Sequence, residues 1–168
     1  MNLARRIAEM MTTNLYLAYG SNLNLAQMRY RCPDARVVGC TYLPGMRLVF
    51  RGSQSGNYLT LAAGDSGDPR GVPCGVFEIS ERDQASLDRY EGYPRFYRRD
   101  YVQTGEIFDA LTGRLVSSSA SAMIYLMQPG HPIGLPSGAY WRTCLHGYRD
   151  FHFDPAVLRR ALKDSAPQ

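Results

Sequence analysis

Two short segments, far apart in the chain, carry the residue types that could do chemistry together. The first is Tyr19-Gly20-Ser21-Asn22, which follows an apolar strand pattern at residues 14–19 and precedes a short helical pattern. Successive backbone N–H groups at such a strand end attract a carboxylate or a phosphate, and the Ser and Asn side chains can add hydrogen bonds. Because Gly-Ser-Asn also occurs in ordinary turns, it is the flanking strand and helix that favour an anion site here.

The second segment ends in a glutamate on the apolar side of a predicted helix. Residues 81–90 predict an amphipathic helix with Leu87 and Tyr90 facing inward and Asp88 outward, and Glu91 follows Leu87 by one helical turn. Apolar surroundings and the negative end of the helix dipole both disfavour a charged carboxylate and should raise its pKa. A raised pKa suits a general acid or base near neutral pH. The alternative is a structural ion pair of Glu91 with Arg89, Arg95 or Arg98.

Aromatic residues are dense around Glu91 and predict the walls of a dry pocket; they are Tyr90, Tyr93, Phe96, Tyr97 and Tyr101. Tyr125 lies in an apolar strand pattern, where its hydroxyl group needs a hydrogen-bond partner. That partner could be Glu91 or a bound substrate.

No pattern in the sequence predicts a metal site or a cofactor site. His131, His146 and His152 are scattered and have no acidic residue at a ligand spacing. The four cysteines form no Cys-x-x-Cys pair, so we interpret them as reduced and mostly buried thiols of a cytoplasmic protein; they are Cys32, Cys40, Cys74 and Cys144.

Composition indicates a soluble globular protein. The chain has 168 residues, of which 45% are hydrophobic and 20% are charged. Its net charge of +4 is weak support for nucleic-acid binding and fits a small anionic substrate equally well. No apolar run is long enough to span a bilayer. We therefore expect neither a nucleic acid nor a membrane as a partner.

The order of predicted elements indicates one α+β domain with a small, mixed, barrel-like sheet and helices at its edges. Strands are predicted at residues 14–19, 36–43, 47–51, 58–63, 72–79, 96–105, 107–111 and 119–127. Helices are predicted at 25–30, at 81–90, after Ser137 and at 156–163. Residues 1–13 are interpreted as a leader or short helix, 14–164 as the single domain and 165–168 as a tail.

With these motifs in place, the chain resembles the γ-glutamylcyclotransferase superfamily, which includes AIG2-like proteins. The resemblance covers about residues 14–160, and the pairing of the Tyr-Gly-Ser-Asn turn with the buried glutamate is its most specific part. The matching segments are Tyr19-Gly20-Ser21-Asn22-Leu23, Arg31-Cys32-Pro33, Gly75-Val76-Phe77-Glu78-Ile79, Leu87-Asp88-Arg89-Tyr90-Glu91-Gly92-Tyr93-Pro94 and Tyr125-Leu126-Met127.

The resemblance implies an enzyme that cyclises a γ-glutamyl group, releasing 5-oxoproline and an amine or amino acid without a metal or cofactor. It implies that Glu91 is the acid/base residue and that the Tyr19–Asn22 turn holds the γ-glutamyl group. It also implies that Tyr125 lines the site. The substrate's own α-amine would be the nucleophile, so one carboxylate could carry the proton to and from the reacting groups.

Three other interpretations stay open at this point. One is a γ-glutamyl-tailoring enzyme of a biosynthetic pathway, which would share the motifs and differ in its leaving group. Another is a non-catalytic module of the same fold that binds a small anion, although an acid on an apolar helix face argues against it. An RNA-binding domain is a third, but the arginines are dispersed among acidic residues. The sequence also leaves open whether the chain forms a homodimer.

Overall fold

The computed structural model describes residues 13–167, so the predicted leader, apart from Thr13, lies outside the described residues. Nine strands and four α-helices are described within this range. They are, in order, β1 (Thr13–Ala18), α1 (Leu25–Arg31), β2 (Arg36–Leu43), β3 (Met46–Ser53), β4 (Gly56–Ala63), β5 (Val72–Ser80), α2 (Glu81–Tyr90), β6 (Tyr97–Gln103), β7 (Ile107–Phe108), β8 (Leu115–Ser117), β9 (Ser121–Met127), α3 (Gly138–Asp150) and α4 (Ala156–Asp164). A 3₁₀ helix, Ser21–Leu23, lies between β1 and α1.

Seven strands form a mixed sheet in the order β6-β9-β1-β5-β2-β7-β8. Strand β1 runs antiparallel to β5 and parallel to β9, so the ends of β1 and β9 are brought together in the middle of the sheet. Strands β3 and β4 pair as a separate antiparallel ribbon. The main sheet curls into a half barrel. This confirms the predicted α+β fold with a barrel-like mixed sheet and flanking helices.

Strand β5 lies at the centre of the core and is buried along almost its whole length. Its Phe77 ring packs edge-to-face against Phe151, which follows α3, with the ring centres 5.7 Å apart. Leu17 of β1 and Leu87 of α2 are also fully buried. Burial of these large apolar side chains holds the two chain segments of interest, the end of β1 and the end of α2, against one core.

Most element bounds agree with the sequence pattern, and those of β2 and α2 agree residue for residue. A capping box starts α2, since Ser80 and Asp83 each accept a hydrogen bond from the other's backbone N–H group. The three-residue strand β8 was missed because it is short, exposed and paired only with the two-residue strand β7.

Helix α1 is capped by Asn24, whose side-chain oxygen accepts a hydrogen bond from the Gln27 N–H group at 3.1 Å. Because Asn24 is the cap, the Asn22 side chain is left to make other contacts.

None of the helices within residues 13–167 is both long enough and apolar enough to cross a bilayer. The four cysteines all fall in this range and are free thiols, of which three are buried and Cys40 is partly exposed.

Candidate active site

The Gly-Ser-Asn turn lies at the end of β1 and is pressed against helix α3. Ser21 and Asn22 are 7% and 3% exposed, respectively, which is unusual burial for polar turn residues. Gly147 of α3 faces the turn so closely that a Cβ atom there would lie 2.6 Å from both the Asn24 nitrogen and Leu23 Cβ. A residue without a side chain at position 147 therefore lets the helix backbone fix the turn in place.

Gly20 lines the cavity without a left-handed backbone, since its φ is −129°. A Cβ atom at this position would lie 3.3 Å from the Tyr140 hydroxyl and 3.4 Å from Leu59 Cδ1. Close packing against these two cavity residues, and not a left-handed backbone, is thus what restricts the side chain at position 20.

Glu91 occupies the C-cap of α2, and the chain turns sharply just after it. Gly92 has a φ of +64°, and the N–H groups of Gly92 and Tyr93 donate to the carbonyls of Arg89 and Asp88 at 3.3 and 2.9 Å. This is the Schellman arrangement, which needs a left-handed residue directly after the cap and usually uses glycine. The motif fixes the backbone of Glu91 even though the residue ends its helix.

Asn22 connects the two segments through its side-chain amide. Its Nδ2 donates to Glu91 Oε1 at 3.3 Å and to the Tyr16 hydroxyl at 3.0 Å. Within residues 13–167 Glu91 makes no ion pair, so pairing with Arg89, Arg95 or Arg98 is not its role. The two segments predicted from the sequence therefore meet through a direct hydrogen bond.

The pKa of the Glu91 carboxyl group is raised from 4.5 to about 7. Burial is the main cause, because the surrounding protein disfavours the charged form although part of the residue stays open to the cavity. The positive charge of Arg31 and the hydrogen bond from Asn22 both lower the pKa and oppose this effect. The direction is the one expected from the sequence, and a carboxyl group with this pKa can take up and release a proton near neutral pH.

Tyr125 lines the same cavity but does not bind Glu91. Its hydroxyl group donates to Asp88 Oδ1 at 2.6 Å. The hydroxyl partner in the described residues is therefore Asp88 and not Glu91, and binding of the hydroxyl group to a substrate stays a prediction. The outward orientation expected for Asp88 is wrong, since its side chain is partly buried and turned towards Tyr125. Asp88 Oδ1 also forms an ion pair with Arg99 Nε, at 3.6 Å. The helical periodicity did not predict this orientation, because it does not show that Tyr125 of β9 offers the Asp88 side chain a hydrogen-bond partner inside the protein.

Tyr19 makes a structural hydrogen bond across the sheet. Its hydroxyl group donates to the backbone carbonyl of Tyr125 at 2.5 Å, and its side chain is buried. This bond ties the end of β1 to β9. The ring of Tyr19, and not its hydroxyl group, is thus what is left to face a ligand.

One cavity of about 290 Å³ lies where these segments meet. Its wall contains aromatic residues from β4, β6 and α3. It also contains all six site residues predicted from the sequence, which are Tyr19, Gly20, Ser21, Asn22, Glu91 and Tyr125. Its size is at the small end of pockets that bind small molecules, about 300–1,000 Å³. The lining residues are Tyr16, Tyr19, Gly20, Ser21, Asn22, Tyr58, Leu59, Arg89, Tyr90, Glu91, Gly92, Phe96, Tyr97, Tyr125 and Tyr140.

Like the lining residues Tyr16, Tyr58 and Tyr140, Arg31 at the end of α1 contacts the site but was not predicted from the sequence as a site residue. Its Nη1 donates to Asn22 Oδ1 at 2.5 Å, and its guanidinium lies over the Tyr90 ring, 3.4 Å from the ring centre. The available signal was its position in Arg31-Cys32-Pro33, one of the segments that carry the family resemblance. Residue type alone did not separate it from the many other arginines.

The cavity wall holds no histidine and no cysteine. Within the part of the chain that the structure describes, no three His, Cys, Asp or Glu side chains gather in a way that could hold a metal ion. Among the described residues that line the cavity, Glu91 is the one carboxyl group, and its pKa is about 7.

Comparison with known proteins finds a family model that matches most of the chain. The model described as gamma-glutamyl cyclotransferase, AIG2-like, matches residues 16–143, a range that contains all six predicted site residues. No curated protein gave a match.

Solved structures with a similar fold include one described as a gamma-glutamyl cyclotransferase, with 24% identity and a TM-score of 0.71 over 93% of this chain and 89% of that chain. An uncharacterized protein from Homo sapiens has 23% identity and a TM-score of 0.67, covering 94% and 90% of the two chains. A gamma-glutamyl cyclotransferase specific to glutathione from yeast has 11% identity and a TM-score of 0.53, covering 92% and 96%. At these identities the similarity concerns the fold.

Proposed function

The chain belongs to the gamma-glutamyl cyclotransferase, AIG2-like family, and we propose that it releases 5-oxoproline from a small γ-glutamyl compound. The observation that carries this proposal is the Glu91 carboxyl group, which has a pKa of about 7 and lies in one cavity with the Gly-Ser-Asn turn. A proton carrier opposite an anion-binding turn is what this cyclisation needs from a protein.

In the proposed reaction, the substrate's α-amine nitrogen attacks its own γ-carbonyl carbon. Glu91 accepts the proton that the α-ammonium group must lose before the attack. A new C–N bond closes the five-membered lactam, and the bond from the γ-carbon to the leaving nitrogen breaks. Glu91 returns its proton to that nitrogen, and the carboxylate so regenerated takes the second proton of the ring nitrogen and passes it to the departing amine. The products are 5-oxoproline and the amine in its ammonium form, and the enzyme ends in its starting state.

The turn supplies hydrogen-bond donors for the substrate's oxygen atoms. Gly20 precedes the first turn of a 3₁₀ helix, and N–H groups at the start of a helix have no carbonyl of that helix to bind. They therefore suit either the α-carboxylate or the negative charge that develops on the γ-carbonyl oxygen. Both roles are compatible with Gly20, Ser21 and Asn22 lining the cavity wall.

The aromatic wall gives the cavity its shape. Tyr58 packs edge-to-face against both Phe96 and Tyr140, with ring centres 6.0 and 5.1 Å apart. Tyr97 is anchored by a hydrogen bond from its hydroxyl group to the Leu59 carbonyl at 2.6 Å. Rings held in this way restrict the shapes that a bound γ-glutamyl chain can adopt, and intramolecular attack becomes fast once its two ends are held together.

The leaving group would lie towards the exposed rim of the cavity. Arg89 lines the cavity and is exposed there. A guanidinium group attracts a carboxylate, so it favours a leaving group that carries one, such as an amino acid, over a neutral or cationic amine.

The test is an assay of purified protein for 5-oxoproline release from a panel of γ-glutamyl compounds. The panel should contain γ-glutamyl amino acids, glutathione, and γ-glutamyl amines that lack the leaving-group carboxylate. We expect release from at least one class, with the γ-glutamyl amino acids turned over fastest. Tight binding of these compounds without any 5-oxoproline would instead favour a non-catalytic binding module.

A further inference from the structure

We propose that Arg31 is a positioning residue for Glu91, acting through the side-chain amide of Asn22. Arg31 is not part of the cavity wall. Its contact with the site runs through Asn22 Oδ1, which accepts from Arg31 Nη1 at 2.5 Å. The inference rests on the proposed role of Glu91 as the proton carrier and adds a residue that sets the state of that carboxyl group.

The chemistry of the two side chains fixes the direction of the amide. A guanidinium group carries donors only, so the end of Asn22 that meets Arg31 must be its carbonyl oxygen. The NH₂ end then points the other way, to the Tyr16 hydroxyl at 3.0 Å and Glu91 Oε1 at 3.3 Å. The Glu91 carboxylate only accepts hydrogen bonds and so favours the same direction of the amide, which Arg31 holds from the other end.

The two carboxylate oxygens of Glu91 therefore have different roles. Oε1 accepts the hydrogen bond from Asn22. Among residues 13–167, no group donates to Oε2, which is therefore the oxygen left to receive a proton from a ligand in the cavity. Holding one oxygen fixed orients the other, as a proton carrier requires.

Arg31 is itself held on two sides. One of its terminal nitrogens donates to Gln27 Oε1, one turn earlier on α1. Its guanidinium carbon lies 3.4 Å from the centre of the Tyr90 ring, on α2. The Tyr90 hydroxyl is 3.4 Å from Ser21 Oγ. Arg31 thus connects α1, α2 and the turn. Its planar guanidinium group can stack on the Tyr90 ring, which the ammonium group of a lysine could not do as well.

Arg31 also supplies the charge that acts on Glu91. Burial of Glu91 raises its pKa, and the positive charge of Arg31 counters this rise. Arg89, which also lines the cavity, forms no ion pair with Glu91 in the described residues. The six tyrosines around Glu91 have pKa values that burial and the Glu91 charge raise above the ordinary value, so they stay neutral near pH 7. They are Tyr16, Tyr19, Tyr90, Tyr97, Tyr125 and Tyr140.

The test is a carbon-13 NMR titration of the Glu91 carboxyl group in the wild-type protein, Arg31→Gln and Arg29→Gln. Arg29 is exposed on the same helix, so its replacement removes the same charge without removing the contact to Asn22. Loss of Arg31 should raise the Glu91 pKa by about one unit, the low end of the effect of a neighbouring opposite charge. The Glu91 pKa in the Arg29→Gln protein should match that in the wild-type protein. An identical Glu91 pKa in all three proteins would overturn the inference.

A second measurement uses the wild-type protein alone and therefore decides the matter even if Arg31→Gln does not fold. The Asn22 side-chain NH₂ signals and the Arg31 guanidinium signals should shift with the same midpoint as Glu91. Signals that do not move through that midpoint would contradict the proposed connection. Neither titration uses a substrate, so a failure to detect 5-oxoproline would count against the proposed function and not against this inference.

Discussion

Asn22 Nδ2 lies 3.3 Å from Glu91 Oε1, although the two residues are 69 positions apart in the chain. One belongs to the turn after β1 and the other ends α2, and both face the same cavity. The hydrogen bond joins a group that can orient a carboxylate to the carboxylate with the raised pKa.

The activity should depend on pH with a midpoint set by Glu91. Because the base must be ionised to accept a proton, kcat/KM should fall on the acidic side, with a midpoint near the Glu91 pKa of about 7. The measurement is kcat/KM for the best substrate of the panel across a pH series. A midpoint at the ordinary glutamate value, about 4.3, would mean that a different group controls the reaction.

Glu91→Gln should change how stability depends on pH. Below pH 4.5 the wild-type carboxyl group is protonated in both states and its burial costs nothing extra. Between pH 4.5 and about 7 the unfolded chain ionises before the folded one, so the wild type loses stability relative to the Gln variant. Above about pH 7 the difference in unfolding free energy between the two proteins should level off, at on the order of 3 kcal/mol.

Urea unfolding of both proteins over this pH range measures the difference directly. Glu81→Gln is the matched control, since Glu81 is exposed at the other end of α2. A wild-type-to-variant difference that stays constant with pH would show that the Glu91 pKa is not raised in the folded state.

Tyr125→Phe should reduce stability more than catalysis. The substitution removes the hydroxyl donor of Asp88, whose carboxylate is only partly exposed, at a cost of about 1–2 kcal/mol. Because Tyr125 does not bind Glu91, kcat should fall by less than about tenfold, short of the loss expected on removing an acid/base group. Tyr101→Phe, at an exposed position of β6, is the control for the loss of a hydroxyl group. A kcat loss of about a hundredfold or more in Tyr125→Phe would point to a direct role in the reaction.

Gly147→Ala should disturb the turn from the α3 side. The added methyl group would lie 2.6 Å from the Asn24 nitrogen and from Leu23 Cβ, so α3 and the turn must move apart. We expect a loss of about 1–3 kcal/mol in unfolding free energy and a raised KM, since Ser21 and Asn22 move with the turn.

Gly138→Ala in the same helix is the control for the Gly147 experiment. Its methyl group would meet only the flexible end of Arg142, at 3.2 Å, so stability should change little. Equal stability losses in the two variants would contradict the packing account of the turn.

The sequence pattern predicted what depends on neighbouring residues in the chain. The bounds of α2, the apolar position of Glu91 and the turn after β1 all follow from local periodicity and capping. Contacts between distant elements were harder to predict. The pairing of Asp88 with Tyr125 depends on the register of β9 beside β1, and the contact of Arg31 with Asn22 depends on how α1 lies over the turn. Neither geometry is encoded in a spacing along the chain.

The most direct test of the central claim is the rate of 5-oxoproline release by Glu91→Gln beside the wild type and Glu81→Gln. The amide keeps the shape of the carboxyl group and can still accept the Asn22 hydrogen bond, but it cannot carry the proton. We predict a correctly folded Glu91→Gln protein with kcat lowered by about 10²–10⁴, and a Glu81→Gln protein with the wild-type rate. A Glu91→Gln protein that releases 5-oxoproline at nearly the wild-type rate would contradict the account.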